Sequence, residues 1–451
     1  MKRVLLLIIL IASLFTLTAC GSDSSAFAYD APSDGVLGTK NMDALLQRFL
    51  NISDEHPNGN LGERRPFSES EKQMAERLEA MIGELTEGDS SFSVSVIPFA
   101  VTSYGSSQNV IVTKRGVGEE PRKTVVIGVN YDDYLATNIM PSYTFGMSSA
   151  STQTVSESVG AMENGTGCAA ALALIEYVKE MPPYEFDIEF AFFGDGSYGN
   201  SGASHYLSEM PQSRKDNILL MYALRRFGGD KLYLYSEEVK TEHEKYLLNL
   251  SQENGLNIKS VPKQVPIVNA RAVSRLPYAK WAMAGVHSTF MNEHIPVAAI
   301  FSGNYETLNL SDIESSKSQP VSYTRADTYT RLTRNFSSYA AQMSAAAKLV
   351  ASSLSDTAMP QVMASSRANY KNYDWATDKL FVQLAVILLL VAIGIVVVIL
   401  AQKFEKKYPY VPPTEKKVKI KVAVFGSDYE DKDTDIIIDV KKPDDPFGGE
   451  Y

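Results

Sequence analysis

Between residues 123 and 207, apolar runs of strand length alternate with one long helical stretch, and nothing else in the chain narrows the fold as far. Residues 124–129 and 186–193 are apolar runs short enough for buried strands, while residues 165–181 carry an Ala- and Leu-rich period of helix length. Strand, loop, helix, strand, loop, helix in that order specifies a parallel sheet with helices on its faces. The expected fold is therefore α/β: a mostly parallel, twisted sheet flanked by helices. Its loops should gather at the carboxyl ends of the strands, where such sheets carry their chemistry.

Three phrases occupy those loops: Gly128-Val129-Asn130-Tyr131-Asp132, Gly160-Ala161-Met162-Glu163-Asn164-Gly165-Thr166-Gly167, and Phe193-Gly194-Asp195-Gly196-Ser197-Tyr198-Gly199. Their order and spacing resemble metallopeptidase family 28, which holds zinc aminopeptidases and glutaminyl cyclases. The resemblance is strongest over residues 123–207 and moderate around His287. It implies a zinc-aminopeptidase fold with two zinc ions held by imidazole and carboxylate, each keeping a position open for the attacking water.

Taken position by position, the same resemblance implies that most of that centre has gone. Asn130 stands where the family has a His ligand, and Asp132 retains the neighbouring carboxylate that would orient that His. Glu163 stands at the bridging Asp position. Gly196 occupies the place of the general base and Ser197 that of the ligand beside it, with Asp195 one residue earlier as a displaced base. Residues 217–224 read as a further strand, and Tyr222 is assigned to another lost Asp position, counted after its portion near residues 218–220. His287, in Gly285-Val286-His287-Ser288-Thr289-Phe290, matches the last ligand, and Asp327-Thr328 matches a pair before the closing helix. Glu163 and His287 are thus either a polar pair lining a cleft or the remnant of a single-metal site. Cys168, at the start of an Ala-rich helix, reads as a small buried thiol.

The rest of the chain reads as anchors and supports. Residues 1–19 have Lys2 and Arg3 before a short apolar run, the layout of a secretory signal, and Leu17-Thr18-Ala19-Cys20 resembles a bacterial lipoprotein box that would place lipid on Cys20. Residues 20–37 form a tether and 38–355 the extracytoplasmic domain, closed by a long helix over residues 329–354. Residues 356–378 read as a juxtamembrane linker. Residues 379–401 are apolar for about the 20 residues a bilayer crossing needs. Lys403, Lys406 and Lys407 then place the tail, residues 402–451, in the cytoplasm.

A formal net charge of −10 provides no basic face for nucleic acid, and no such partner is expected. Two functions from different classes follow. The first is a catalytically silent, membrane-anchored domain that binds a peptide or protein at the cytoplasmic membrane and needs no cofactor. The second is a metal-dependent exopeptidase or cyclase with one zinc ion in an atypical site.

Overall fold

The computed structural model describes residues 34–101, 105–133, 156–196, 199–236, 241–261, 285–303, 325–372 and 375–407. Cys20, Ser197, most of the loop after Asp133 and the tail beyond Lys407 lie outside these residues.

Two helices come first, α1 (Thr39–Leu50) and α2 (Glu69–Thr86). Ser68 starts α2 by accepting a hydrogen bond from the Glu71 backbone N–H at 3.3 Å, and Glu69 and Glu71 place negative charge in the first turn. Strands β1 (Phe92–Val101), β2 (Gly105–Lys114) and β3 (Thr124–Asn130) follow. An irregular turn, Ala161–Gly165, leads into α3 (Thr166–Glu180), and then come β4 (Asp187–Phe193) and α4 (Ser201–Ser208). Beyond them lie β5 (Ile218–Arg225), β6 (Lys231–Tyr235), α5 (Glu242–Glu253), β7 (Ile258–Ser260), α6 (Val286–Asn292) and β8 (Val297–Gly303).

The strands form one eight-stranded sheet in the order β1-β2-β4-β3-β5-β8-β6-β7. Its centre, β4-β3-β5-β8, is parallel throughout, while β1, β2 and the β6–β8 pairing are antiparallel. Strands β3, β5 and β8 are buried along their whole length, which is why they read as continuous apolar runs without alternation. The chain leaves β3 for β4 on one side and returns to β5 on the other. The carboxyl ends of these three strands therefore flank a topological switch point, the usual crevice for a ligand.

Alternate residues of each central strand feed two cores. Val125, Ile127, Val129, Leu220, Tyr222 and Leu224 pack with α1, α2 and α3, and Val126, Met221 and Ala223 pack with α4 and with α6, which contributes Phe290.

Two expectations change. The closing helix is two helices, α7 (Tyr329–Asn335) and α8 (Tyr339–Ser355), separated where Phe336 leaves helical geometry to bury its ring. The expected linker is largely a further helix, α9 (Met359–Asn372), which buries Met359 and Met363 in the main core. Arg367 of α9 donates to the backbone oxygens of Ile218, at 2.5 Å, and Lys215, at 2.8 Å, and so ties the helix to the start of β5.

The chain divides into two units, Met1–Tyr373 and Asp374–Tyr451. Within the second, α10 (Trp375–Lys407) contains Gln383–Phe404, 22 residues of mean hydropathy 3.5, long and apolar enough to cross a membrane.

Candidate functional site

The cleft is assembled from strand ends. Asn130 and Asp132 leave β3, the turn at residues 194–196 leaves β4, and Arg225 and Arg226 end β5. The turn Ala161–Gly165 holds Glu163 in non-helical geometry, with Asn164 at φ 69°, and is fixed from both sides. Asn164 Nδ2 donates to the Asp132 backbone oxygen at 2.5 Å, and the Asp327 carboxylate accepts the N–H groups of Met162 at 2.6 Å and Glu163 at 3.0 Å. Burial pushes Asp327 up to about 7, against those two donors. Beneath the turn, the fully buried Arg64 donates to the backbone oxygens of Tyr131, Val159 and Gly160 at 2.9, 2.7 and 3.3 Å. Arg64 also opposes the burial that drives the neighbouring Asp133 carboxyl well above its ordinary range.

Asn130 and Gly196 fit together. A Cβ added at Gly196 would lie 2.0 Å from Asn130 Cγ and 2.1 Å from its Oδ1, so the amide fills the space that any side chain at 196 would need. Asn130 Oδ1 is buried with no hydrogen-bond partner among the described residues. Asp132 Oδ1 accepts the Gly196 N–H at 3.0 Å, so this carboxylate now orients the following turn.

Asp195 is buried and faces the start of α4. Its carboxylate takes bonds from Ser201 and from the backbone of Gly199 and Ser201, and burial raises it to about 6. One carboxylate oxygen thus braces the loop into α4, while Oδ1 is buried with no hydrogen-bond partner among the described residues.

The Tyr222 expectation needs correcting. Strand β5 runs on to Arg225, so Tyr222 lies in its interior and turns to the α8 side, where its hydroxyl bonds Ser353 Oγ at 2.5 Å. The residue at the strand's carboxyl end is Arg225. Its Nη2 donates to Glu163 Oε1 at 2.8 Å, and Arg226 Nη1 stands 3.9 Å from Glu163 Oε2. His287, at the start of α6, is buried with Tyr235 edge-on at 5.6 Å between ring centres.

Sequence reasoning passed over Arg64, Glu71, Asp133, Arg225 and Arg226. The Arg225-Arg226 pair directly after an apolar run was the available signal. Glu71 offered the Ser-x-x-Glu spacing of a helix start, yet it also spans to the cleft. Its Oε1 accepts the Asp195 N–H at 3.0 Å and Ser107 Oγ at 2.8 Å, and its Oε2 the Phe67 N–H at 2.7 Å. Burial and the charge of Asp132 push Glu71 up to about 8.

A protein-bound zinc ion takes about four donors in all, three of them from protein when one position stays open. Among the described residues no group of three or more His, Cys, Asp and Glu side chains converges, and Glu163 is engaged by arginine. These residues do not fit a two-zinc centre. Nor does Cys168 offer a nucleophile. It is buried, its thiol is pushed up by desolvation, and it donates to the Asn130 backbone oxygen at 3.2 Å.

The parallel-centred sheet with this crevice defines an α/β domain of the kind that binds ligands at strand carboxyl ends. The chain belongs to Peptidase family M28, whose family model matches residues 109–348. Among solved structures, LapB from Legionella pneumophila is 12% identical with a TM-score of 0.50, over 73% of this chain and 78% of that one. The zinc aminopeptidase BSAP from Bacillus subtilis is 12% identical with a TM-score of 0.48, over 69% and 94%. A glutaminyl cyclase from an Acidobacteriales bacterium is 14% identical with a TM-score of 0.48, over 75% and 98%. At 12% identity the likeness to LapB speaks to fold alone. No curated protein matches this sequence.

Proposed function

We propose that this chain is a membrane-anchored, extracytoplasmic member of family M28 whose cleft has lost hydrolysis and serves to bind a peptide or protein. The observation that carries the reading is the contact between Asn130 and Gly196. A hydrolytic centre needs a base and a metal-bound water in that space, and here an amide fills it. In this reading lipid on Cys20 and the span at Gln383–Phe404 hold the domain at the outer face of the cytoplasmic membrane, with the tail inside. Zinc is not required.

The test is a metal count and an activity assay on the full-length protein in detergent. It is expected to hold no stoichiometric zinc and to release no chromophore from aminoacyl substrates in a chelator-sensitive manner. Stoichiometric zinc with chelator-sensitive cleavage would establish instead an exopeptidase with an atypical mononuclear site.

A further inference from the structure

We infer that the Arg225 guanidinium is a built-in cation standing between Glu163 and His287, and that this side chain bars a divalent ion from the cleft. The inference rests on the silent-cleft reading and deepens it, because it gives the proposed loss of metal binding a cause in one residue.

Three observations place the guanidinium. One edge of it donates to Glu163 Oε1 at 2.8 Å, where the Glu163 side chain is 1% exposed and that of Arg225 is 11% exposed. Its other edge faces the start of α6, where a Cβ added at Gly285 would lie 2.7 Å from Arg225 Nη1 and 3.1 Å from His287 Nδ1. The histidine ring and the guanidinium therefore both border Gly285, where only a residue without a side chain fits. Arg226 then supplies a second positive charge, 3.9 Å from Glu163.

A carboxylate this deeply buried requires a counter-charge. Arginine supplies one that no accessible pH removes, with N–H groups that match carboxylate geometry. It supplies no coordination sphere and no activated water. One guanidinium also carries the net charge that one carboxylate and one divalent ion carry together. Arg225→Asp plus Zn²⁺ would therefore restore the electrostatic balance of the cluster, with Asp, Glu163 and His287 as three donors of the type zinc takes.

The experiment uses the full-length protein in detergent, dialysed against micromolar zinc chloride, washed, and assayed for bound metal. Arg225→Asp is expected to retain about one more zinc per chain than the unaltered protein, and to lose it again when His287→Ala is added. Two results overturn the inference: stoichiometric zinc on the unaltered protein that His287→Ala removes, or a folded Arg225→Asp protein that takes up none.

If Arg225→Asp does not fold, Arg225→Met decides. It is expected to lower the melting temperature by roughly 5 °C or more, as a buried carboxylate left with only the longer contact to Arg226 should, and adding Glu163→Gln is expected to recover most of that loss. A double variant no more stable than the single one overturns the inference. The two readings fail separately. Chelator-sensitive cleavage by the unaltered protein ends the silent-cleft reading, whereas a metal-free Arg225→Asp protein ends only the role given to Arg225.

Discussion

At the scale of single residues, the cleft is held by contacts that leave little room for reversal. The Asn130 amide and the bare backbone of Gly196 occupy one volume, so Gly196→Ala should cost about 1–3 kcal/mol in denaturant unfolding, as overpacking a close site does. Asn130→Ala in the same chain should relieve most of that cost, and a Gly196→Ala protein of unchanged stability would show that the amide is not held there. Titration makes a second residue-scale expectation. Glu71 is raised from 4.5 to about 8 and Asp327 from 3.8 to about 7, so the folded state binds these protons more tightly than the unfolded one. Their stabilising contribution is complete below the unfolded values and is lost as pH rises through about 7 to 8. The melting temperature should therefore fall between about pH 5 and about pH 8, and Glu71→Gln should flatten the upper part of that fall. Asn130, Glu163 and Gly196 were legible in the sequence because they sit in short phrases at strand ends. The fit of Asn130 to Gly196 was not, since it joins two loops that only the sheet brings together.

At the scale of elements, the strands were legible wherever a turn residue or a charge marked their limits, as in Lys231–Tyr235. The run over residues 217–224 was legible too, and β5 ends one residue later, at Arg225. The ligand assignment went to Tyr222 because it was counted from a strand near residues 218–220, and a strand buried on both faces shows no alternation to mark where the chain emerges. Helix α9 was missed for a different reason: its apolar stripe is short, and its place just before an apolar span gives it the look of a spacer. Yet Met359 and Met363 are fully buried, and Ser366 Oγ lies 2.6 Å from Nδ1 of the buried His243 on α5. Met363→Ala should therefore destabilise the domain by about 2–5 kcal/mol in urea, the usual cost of emptying a core position. A loss under about 0.5 kcal/mol would return residues 357–372 to the status of a linker.

At the scale of the whole molecule, the proposed membrane anchoring rests on two separate features, an apolar helix and Cys20. The helix Trp375–Lys407 carries 22 consecutive residues of mean hydropathy 3.5, about 33 Å at the helical rise, close to the thickness of a hydrocarbon core. Burial of that much apolar surface in lipid is effectively irreversible, whereas a lipid group on Cys20 would bind more weakly and reversibly unless several chains are attached. The two proposed attachments would therefore give separable results in membrane fractionation with an alkaline wash. Cys20→Ser alone should leave the protein in the membrane pellet, because the span suffices. Removing residues 375–451 alone should leave it membrane-bound but more easily extracted, because only lipid remains. Only the combination should release the domain into the soluble fraction. Release on loss of the span alone would mean that Cys20 carries no lipid and that the helix is the attachment that holds the protein.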